Sequence, residues 1–223
     1  MIPAASRKTR RAFTLVELLV VVAIGVIFFM LLLPAGTGNK EPAKQIQCMS
    51  NLRQIGIGFW LYSGDHSNQL PWQVSSSVSQ ESAPTTIAAD YFTPLTNYIK
   101  VTRLFVCPTD KSRQAATNIT NFSNSNLSYF ISLDVSLKSS PSLASTILAG
   151  DRHLSLHKQA VKAGLIETTN LAALGWTTEL HNNTKNSRGV LVFADGHAEV
   201  VKTDKLAEVL QRQSIATNRL VIP

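Results

Sequence analysis

Cysteine is scarce in this chain of 223 residues: Cys48 and Cys107 are the only two, so no Cys-x-x-Cys pair exists. His-Glu-x-x-His and Gly-x-Ser-x-Gly are also missing, which removes the usual signatures of a zinc-protease helix and of a hydrolase nucleophile elbow. No loop of the Asp-x-Asp-x-Asp type occurs, so a calcium site has no assignable ligands. No catalytic residue is assigned, and the chain reads as a non-enzyme.

A basic stripe interleaved with aromatic residues is absent as well. The formal charge is +7, but Arg7, Lys8, Arg10 and Arg11 precede every acidic residue, and without these four 17 basic residues face 14 acidic ones. The excess is therefore a topology signal, and no nucleic-acid partner is expected.

What the chain does have is one long apolar run. "RRAFTLVELLVVVAIGVIFFMLLLPA" occupies residues 10–35, and from Phe13 to Leu33 the only charge in 21 residues is Glu17. As a helix those residues rise about 30 Å, the thickness of a hydrocarbon core. The spacing predicts a basic leader over 1–12 and a transmembrane helix over 13–35. The leader stays cytoplasmic and the rest of the chain lies across the membrane. A cleaved secretory signal has a shorter apolar core that ends in small residues, and "TRRAFTL" partly resembles a twin-arginine signal, but neither explains Glu17. A carboxylate at bilayer depth costs roughly 3 kcal/mol on insertion scales, so Glu17 needs a partner or the hydrated interface.

The stretch "RRAFTLVELLVVVAIGVIFF" resembles the N-terminal signature of type IV prepilins and type II secretion pseudopilins: basic leader, small residue, Phe, three residues, Glu, then an unbroken apolar helix. The resemblance implies cleavage between Ala12 and Phe13 by a prepilin peptidase and methylation of the new amine. Ala12 stands where such leaders normally carry Gly. It also implies that Phe13, Glu17 and Pro34 serve assembly, the Phe13 amine neutralising Glu17 of an adjoining subunit and Pro34 marking a kink. The implied partners are prepilin peptidase, other pilin or pseudopilin subunits, an inner-membrane assembly platform and membrane lipid. The implied function is a structural subunit of a periplasmic pseudopilus for type II secretion. The alternatives are a minor type IV pilin, or an anchored periplasmic binding module or enzyme that does not polymerise. No cofactor is expected, with Ca²⁺ as the alternative because the resemblance to major pseudopilins implies a loop calcium site.

Beyond the apolar run, "PAGTGNKEP" concentrates Pro and Gly and predicts a hinge over 36–42, with a globular domain over 43–223. A helix is expected to resume at Pro42 and to bury Ile46, Met49, Leu52, Ile55, Phe59 and Tyr62. "QVSSSVSQESAPTT" reads as a polar loop, "PLTNYIK" as a short helix and "LFVCP" as an extended segment. "LSYFISLDVS", "ASTILAGD" and "RGVLVFADGHAEVVK" read as strands, the last as a hairpin with a type I′ turn at Asp195-Gly196. "TDKLAEVLQ" reads as a helix capped by Thr203. The fold class is α+β: a long N-terminal helix packed on a small antiparallel sheet of about 3–4 strands, the plan of a pilin.

"IQCMSNLRQIGIGFWLYSGDHSNQLP", "FVCPTD" and "GVLVFADGHAEV" resemble a pseudopilin-like group of planctomycetes and verrucomicrobia, in which a His precedes the Asp-Gly hairpin. His181 is the candidate here, at a longer spacing. Across the membrane Cys48 and Cys107 have three readings: a disulfide contributing roughly 4 kcal/mol, two separately packed thiols, or a metal site completed by histidine. "GDRHLSLH" brings Asp151, His153 and His157 together, with His153 and His157 at helical spacing.

Overall fold

Thr14-Leu-Val-Glu17 opens the first helix, α1 (Leu15–Leu32), with a Thr and a Glu three residues apart, the pairing that caps a helix start. The computed structural model describes residues 13–32, 40–78, 85–138, 140, 142–181 and 187–223. The chain divides into two units, Met1–Lys40 and Glu41–Pro223. In the first, α1 is apolar on every face, and its 18 residues rise about 27 Å. No helix among the described residues is long and apolar enough to cross a membrane. The expected span over 13–35 continues past Leu32 into residues that lie outside the described ones. So do Ala12 with the rest of the leader, Pro34, and the hinge up to residue 39.

The second unit begins with α2 (Lys40–Asp65), whose start lies inside the expected hinge, two residues before Pro42. Pro42 is tolerated there because first-turn amides have no intrahelical acceptor. Leu52, Ile55, Phe59 and Tyr62 are buried as expected, but Ile46 is 62% exposed and Cys48 and Gln45 turn inward instead. The buried line runs 45, 48, 52, 55, 59, 62, and Ile46 lies about 100° away from Gln45 on the helix. The polar stretch expected as a loop starts as a helix, α3 (Pro71–Val78). α4 (Ala88–Phe92) then runs into a 3-10 turn over Thr93–Asn97, so the short helix expected at "PLTNYIK" begins six residues earlier.

Among the described residues nine strands follow: β1 (Tyr129–Ser132), β2 (Ile147–Asp151), β3 (Leu154–Leu156), β4 (Gln159–Ala160), β5 (Gly164–Thr168), β6 (Leu174–Trp176), β7 (Arg188–Phe193), β8 (Ala198–Lys202) and β9 (Asn218–Ile222). They form a six-stranded antiparallel sheet in the order β5-β9-β1-β2-β7-β8 and a three-stranded sheet in the order β4-β3-β6. The sheet expected from sequence had about 3–4 strands. The extra members are short or carry charge, such as Glu167 in β5 and Arg219 in β9, and leave no clean alternation to read.

The two faces of the large sheet carry separate cores. Tyr129, Ile131, Val190, Val192 and Ala194 pack with Leu52, Ile55 and Phe59 of α2. Phe130, Leu191 and Phe193 pack with Leu206, Val209 and Leu210 of α5 (Thr203–Gln211). Period-two alternation in β7 therefore buries both faces, because each is covered by a helix. Lys202, not Thr203, occupies the cap position of α5. The Thr203 hydroxyl instead accepts from the Trp176 amide and donates to the Ser187 carbonyl, joining the small sheet to the start of β7.

The β7–β8 connection also differs in type. The Gly196 amide donates to the Phe193 carbonyl at 2.9 Å and the Phe193 amide to the His197 carbonyl at 2.9 Å. Gly196 has φ +91° while Asp195 stays at negative φ. This is a three-residue loop, a type I turn closed by a left-handed glycine, not the expected type I′ turn. The left-handed pair sits at His157 (φ 53°) and Lys158 (φ 65°), between β3 and β4.

Candidate functional site

The N-terminal site is built from adjacent residues. One oxygen of Glu17, Oε2, accepts from the Thr14 amide at 2.9 Å and from the Thr14 hydroxyl at 2.8 Å. The Glu17 amide donates back to Thr14 Oγ1 at 3.3 Å. Glu17 thus satisfies its own helix start and lies where the helix dipole favours negative charge. A carboxylate has about four acceptor positions, and Thr14 takes two on one oxygen. Sequence reading treated Glu17 as a charge in search of a partner and passed over Thr14, although Thr-x-x-Glu before an apolar run is a recognised start signal.

The second site lies in the globular unit. Cys48 from α2, Cys107 from the Cys-Pro segment, Asp151 at the end of β2 and His181 after β6 converge. Their donor atoms all lie within 4.8 Å of one another. Cys48 Sγ is 3.3 Å from Asp151 Oδ1, and His181 Nε2 is 3.4 Å from both Cys107 Sγ and Asp151 Oδ2. Cys48, Cys107 and Asp151 are fully buried and His181 is 4% exposed. No other group of three or more His, Cys, Asp or Glu among the described residues is arranged to hold a metal.

Further polar groups support this cluster. The Val190 amide donates to Asp151 Oδ2 at 2.7 Å, the Tyr129 hydroxyl is 3.4 Å from Cys48 Sγ, and the Thr109 hydroxyl is 3.0 Å from Cys107 Sγ. His181 Nδ1 has no hydrogen-bond partner among the described residues. Burial pushes the Cys48 thiol up and raises the Asp151 carboxyl to about 7, the neighbouring Cys107 sulfur adding to the latter. Burial also opposes the Cys107 thiolate, but hydrogen bonds from Cys48 and His181 outweigh it and lower that thiol to about 5. For His181 burial lowers the pKa, and Cys107 with Asp151 raises it overall. Burial thus favours the protonated forms of Cys48 and Asp151, while the pairing of Cys107 with His181 favours a thiolate beside a protonated ring.

Of the three readings left open for the cysteines, the structure holds both unbridged, with no disulfide between them. His181 joins them. Asp151 also joins them, away from the two histidines beside which it stands in sequence. His157 sits exposed in the β3–β4 turn, so the helical His153–His157 face does not exist. His153 instead contacts Glu179 at 2.6 Å through Nδ1. Asp110 is held at 2.8 Å by Arg152 and also bonds Ser112. The four groups of the cluster are spread over 133 residues with no short spacing among them, so no local motif announces the set. Asp195 and Gly196 lie at the hairpin turn, where Asp195 Oδ1 accepts from the His197 amide at 3.0 Å.

Comparison with known proteins reaches the N-terminal site alone. No curated protein and no solved structure matches the chain. Residues 7–33 match the family model described as the prokaryotic N-terminal methylation motif. That match spans the basic cluster, Phe13, the Thr14–Glu17 cap and the whole of α1, and so this chain carries the prepilin and pseudopilin signature at its N-terminus.

Proposed function

We propose that this protein is a pseudopilin-like structural subunit that is cut between Ala12 and Phe13, methylated on the new Phe13 amine and polymerised through α1 into a periplasmic fibre serving type II secretion. The observation that carries this reading is the capped start of α1. An all-apolar helix begins at Leu15 with a single carboxylate in its first turn, inside the matched motif. Cleavage before Phe13 would leave a cation at that same end. Thr14 bonds only Oε2 of Glu17, which leaves Oε1 to accept from a second donor, in this reading the Phe13 amine of a neighbouring subunit. Such a pair in low dielectric fixes the stagger between helices, and stranding one member costs about 3–5 kcal/mol.

Before assembly the subunit is held in the inner membrane by its apolar segment, with leader in the cytoplasm and globular unit in the periplasm. Its partners are prepilin peptidase, sibling subunits and the assembly platform, and its work is mechanical. The buried cluster supports the non-enzymatic reading, because a nucleophile at Cys107 is closed to substrate.

Intact mass and N-terminal sequencing of protein taken from its own membranes test the proposal. The expected product begins at N-methylated Phe13. A chain that keeps residues 1–12 sinks the processing claim, and a chain that starts beyond Pro34 replaces the fibre subunit with an exported monomer.

A further inference from the structure

We propose that Cys48, Cys107, Asp151 and His181 are the four ligands of a tetrahedral Zn²⁺ site that clamps α2 to the sheet. The inference concerns the globular unit and stands whether or not the chain forms a fibre.

His181 Nε2 lies 3.4 Å from both Cys107 Sγ and Asp151 Oδ2, Cys48 Sγ lies 3.3 Å from the other Asp151 oxygen, and one ligand atom from each of the four residues can be chosen so that all lie within 4.8 Å of one another. A tetrahedron with edges of about 3.3–3.8 Å has its centre about 2.0–2.3 Å from each corner, the range of Zn–O, Zn–N and Zn–S bonds. The fit is in chemistry as well as in size. Two sulfurs, one imidazole and one carboxylate suit Zn²⁺ and exclude Ca²⁺ and Mg²⁺, which take oxygen ligands. Four protein ligands with no open position, all buried, describe a structural site.

The competing arrangements fit less of the geometry. In a nucleophilic Cys-His-Asp relay the thiol and the carboxylate bond opposite nitrogens of the ring. Here Cys107 Sγ and Asp151 Oδ2 approach the same nitrogen, His181 Nε2. Donors that converge on one point from separate elements fit coordination to a shared centre. A disulfide would use two of the four groups and account for neither the carboxylate nor the imidazole beside them. Three of the four ligands have supporting hydrogen-bonding groups, an amide on the Asp151 carboxylate and hydroxyls of Tyr129 and Thr109 beside the two sulfurs, while His181 Nδ1 has no partner among the described residues. These contacts offset the net charge of −1 that two thiolates, a carboxylate and Zn²⁺ leave behind.

Binding the ion displaces to solvent the protons held by the thiols and the carboxyl group, together with the Nε2 proton of a charged His181 ring, which coordinates as neutral imidazole through Nε2. Because all four groups are enclosed, loading is coupled to folding and the ion is not exchanged freely in the folded state. The Cys-Pro segment, the end of β2 and the segment after β6 are thereby fastened to one helix.

The test uses the full chain, purified in detergent without added metal. Elemental analysis is expected to find about one zinc per chain. Refolding the reduced chain with Co²⁺ should give the intense visible absorption of a tetrahedral ion together with thiolate charge-transfer bands. Neither thiol should react with an alkylating reagent until a chelator is added under denaturing conditions. Cys107→Ser and His181→Gln should each lose the metal. Because those variants risk misfolding, the Co²⁺ spectrum of the unaltered chain decides independently. The proposal is overturned by a reduced chain that refolds with excess Zn²⁺ yet binds none, by a Co²⁺ spectrum without thiolate bands, by metal that persists in a Cys48→Ser, Cys107→Ser double variant, or by a Cys48–Cys107 disulfide in protein isolated from its own membranes.

Discussion

The Trp60 indole donates to the Ala194 carbonyl at 2.8 Å, joining α2 to the β7–β8 turn across 134 residues of sequence. The contact is close because Gly56, one turn earlier on α2, has no side chain; a Cβ there would meet Val192 Cγ2 at 3.2 Å. Trp60→Phe keeps much of the apolar area and removes the donor. It should cost about 1 kcal/mol and lower Tm by about 2–4 °C, read by thermal unfolding of the full chain in detergent. An unchanged Tm would show that water replaces the indole without loss.

Thr14 and Glu17 separate capping from assembly. Thr14→Val removes the hydroxyl from both of its bonds with Glu17 but leaves the carboxylate in place. It should cost about 1 kcal/mol at the helix start, visible as faster amide exchange over residues 15–18, with fibre formation retained. Glu17→Leu should still be cut at Phe13 but fail to enter fibres, scored by shearing and sedimentation. Normal fibres from Glu17→Leu would remove the ion pair from the assembly model.

Gly150 tests how tightly the large sheet is packed at β2. A Cβ at that position would stand 2.5 Å from Leu191 Cδ2 and 2.8 Å from the Phe130 ring. Gly150→Ala should destabilise the globular unit by about 1–3 kcal/mol, measured by urea unfolding. A neutral result would mean that Leu191 can change rotamer freely, against the density expected of a core.

Asp110 gives the unit an acid-sensitive contact. Burial pushes its carboxyl pKa up, but His153, Arg152 and Ser112 outweigh that and hold it well below the usual carboxylate range. A depressed folded-state pKa contributes stability that is fully present above the unfolded value, about 4, and is lost as pH falls toward the folded one. Unfolding free energy should therefore drop on acidification below about pH 4. Asp110→Asn should cost about 3 kcal/mol near neutrality and flatten that acid limb. Parallel urea curves for both proteins at pH 6 and pH 2.5 supply the comparison, and equal slopes would reject the assignment.

The legible parts of the fold were those with local periodicity. The apolar run of α1, the 3-and-4 spacing from Leu52 to Tyr62, the alternation in β7 and the Leu206–Val209–Leu210 stripe of α5 each follow from neighbours in sequence. What escaped was set by tertiary contact. The first two turns of α2 bury Cys48 in place of Ile46 because Asp151 and Tyr129 wait beneath it. Thr203 serves the small sheet and not its own helix. β5 and β9 define each other only by pairing, as in Ile166 opposite Leu220. At the buried cluster, the sequence offers Cys48 and Cys107 as a pair that a histidine could complete and names His181 separately. Nothing short in the sequence joined them, and Asp151 was drawn to the histidines beside it in the chain.

β9 is the last strand in sequence, yet it lies inside the large sheet between β5 and β1. Both neighbours wait for it: Ile131 and Leu165 each pair with Val221. Synthesis runs from the N-terminus, so β1 and β5 are complete well before the strand that joins them and until then each has an unpaired edge on that side. The large sheet therefore closes only once residues 218–222 are in place. That order opens an aggregation-prone interval whose length is governed by how fast the last strand is delivered and not by the folding rate of the finished chain.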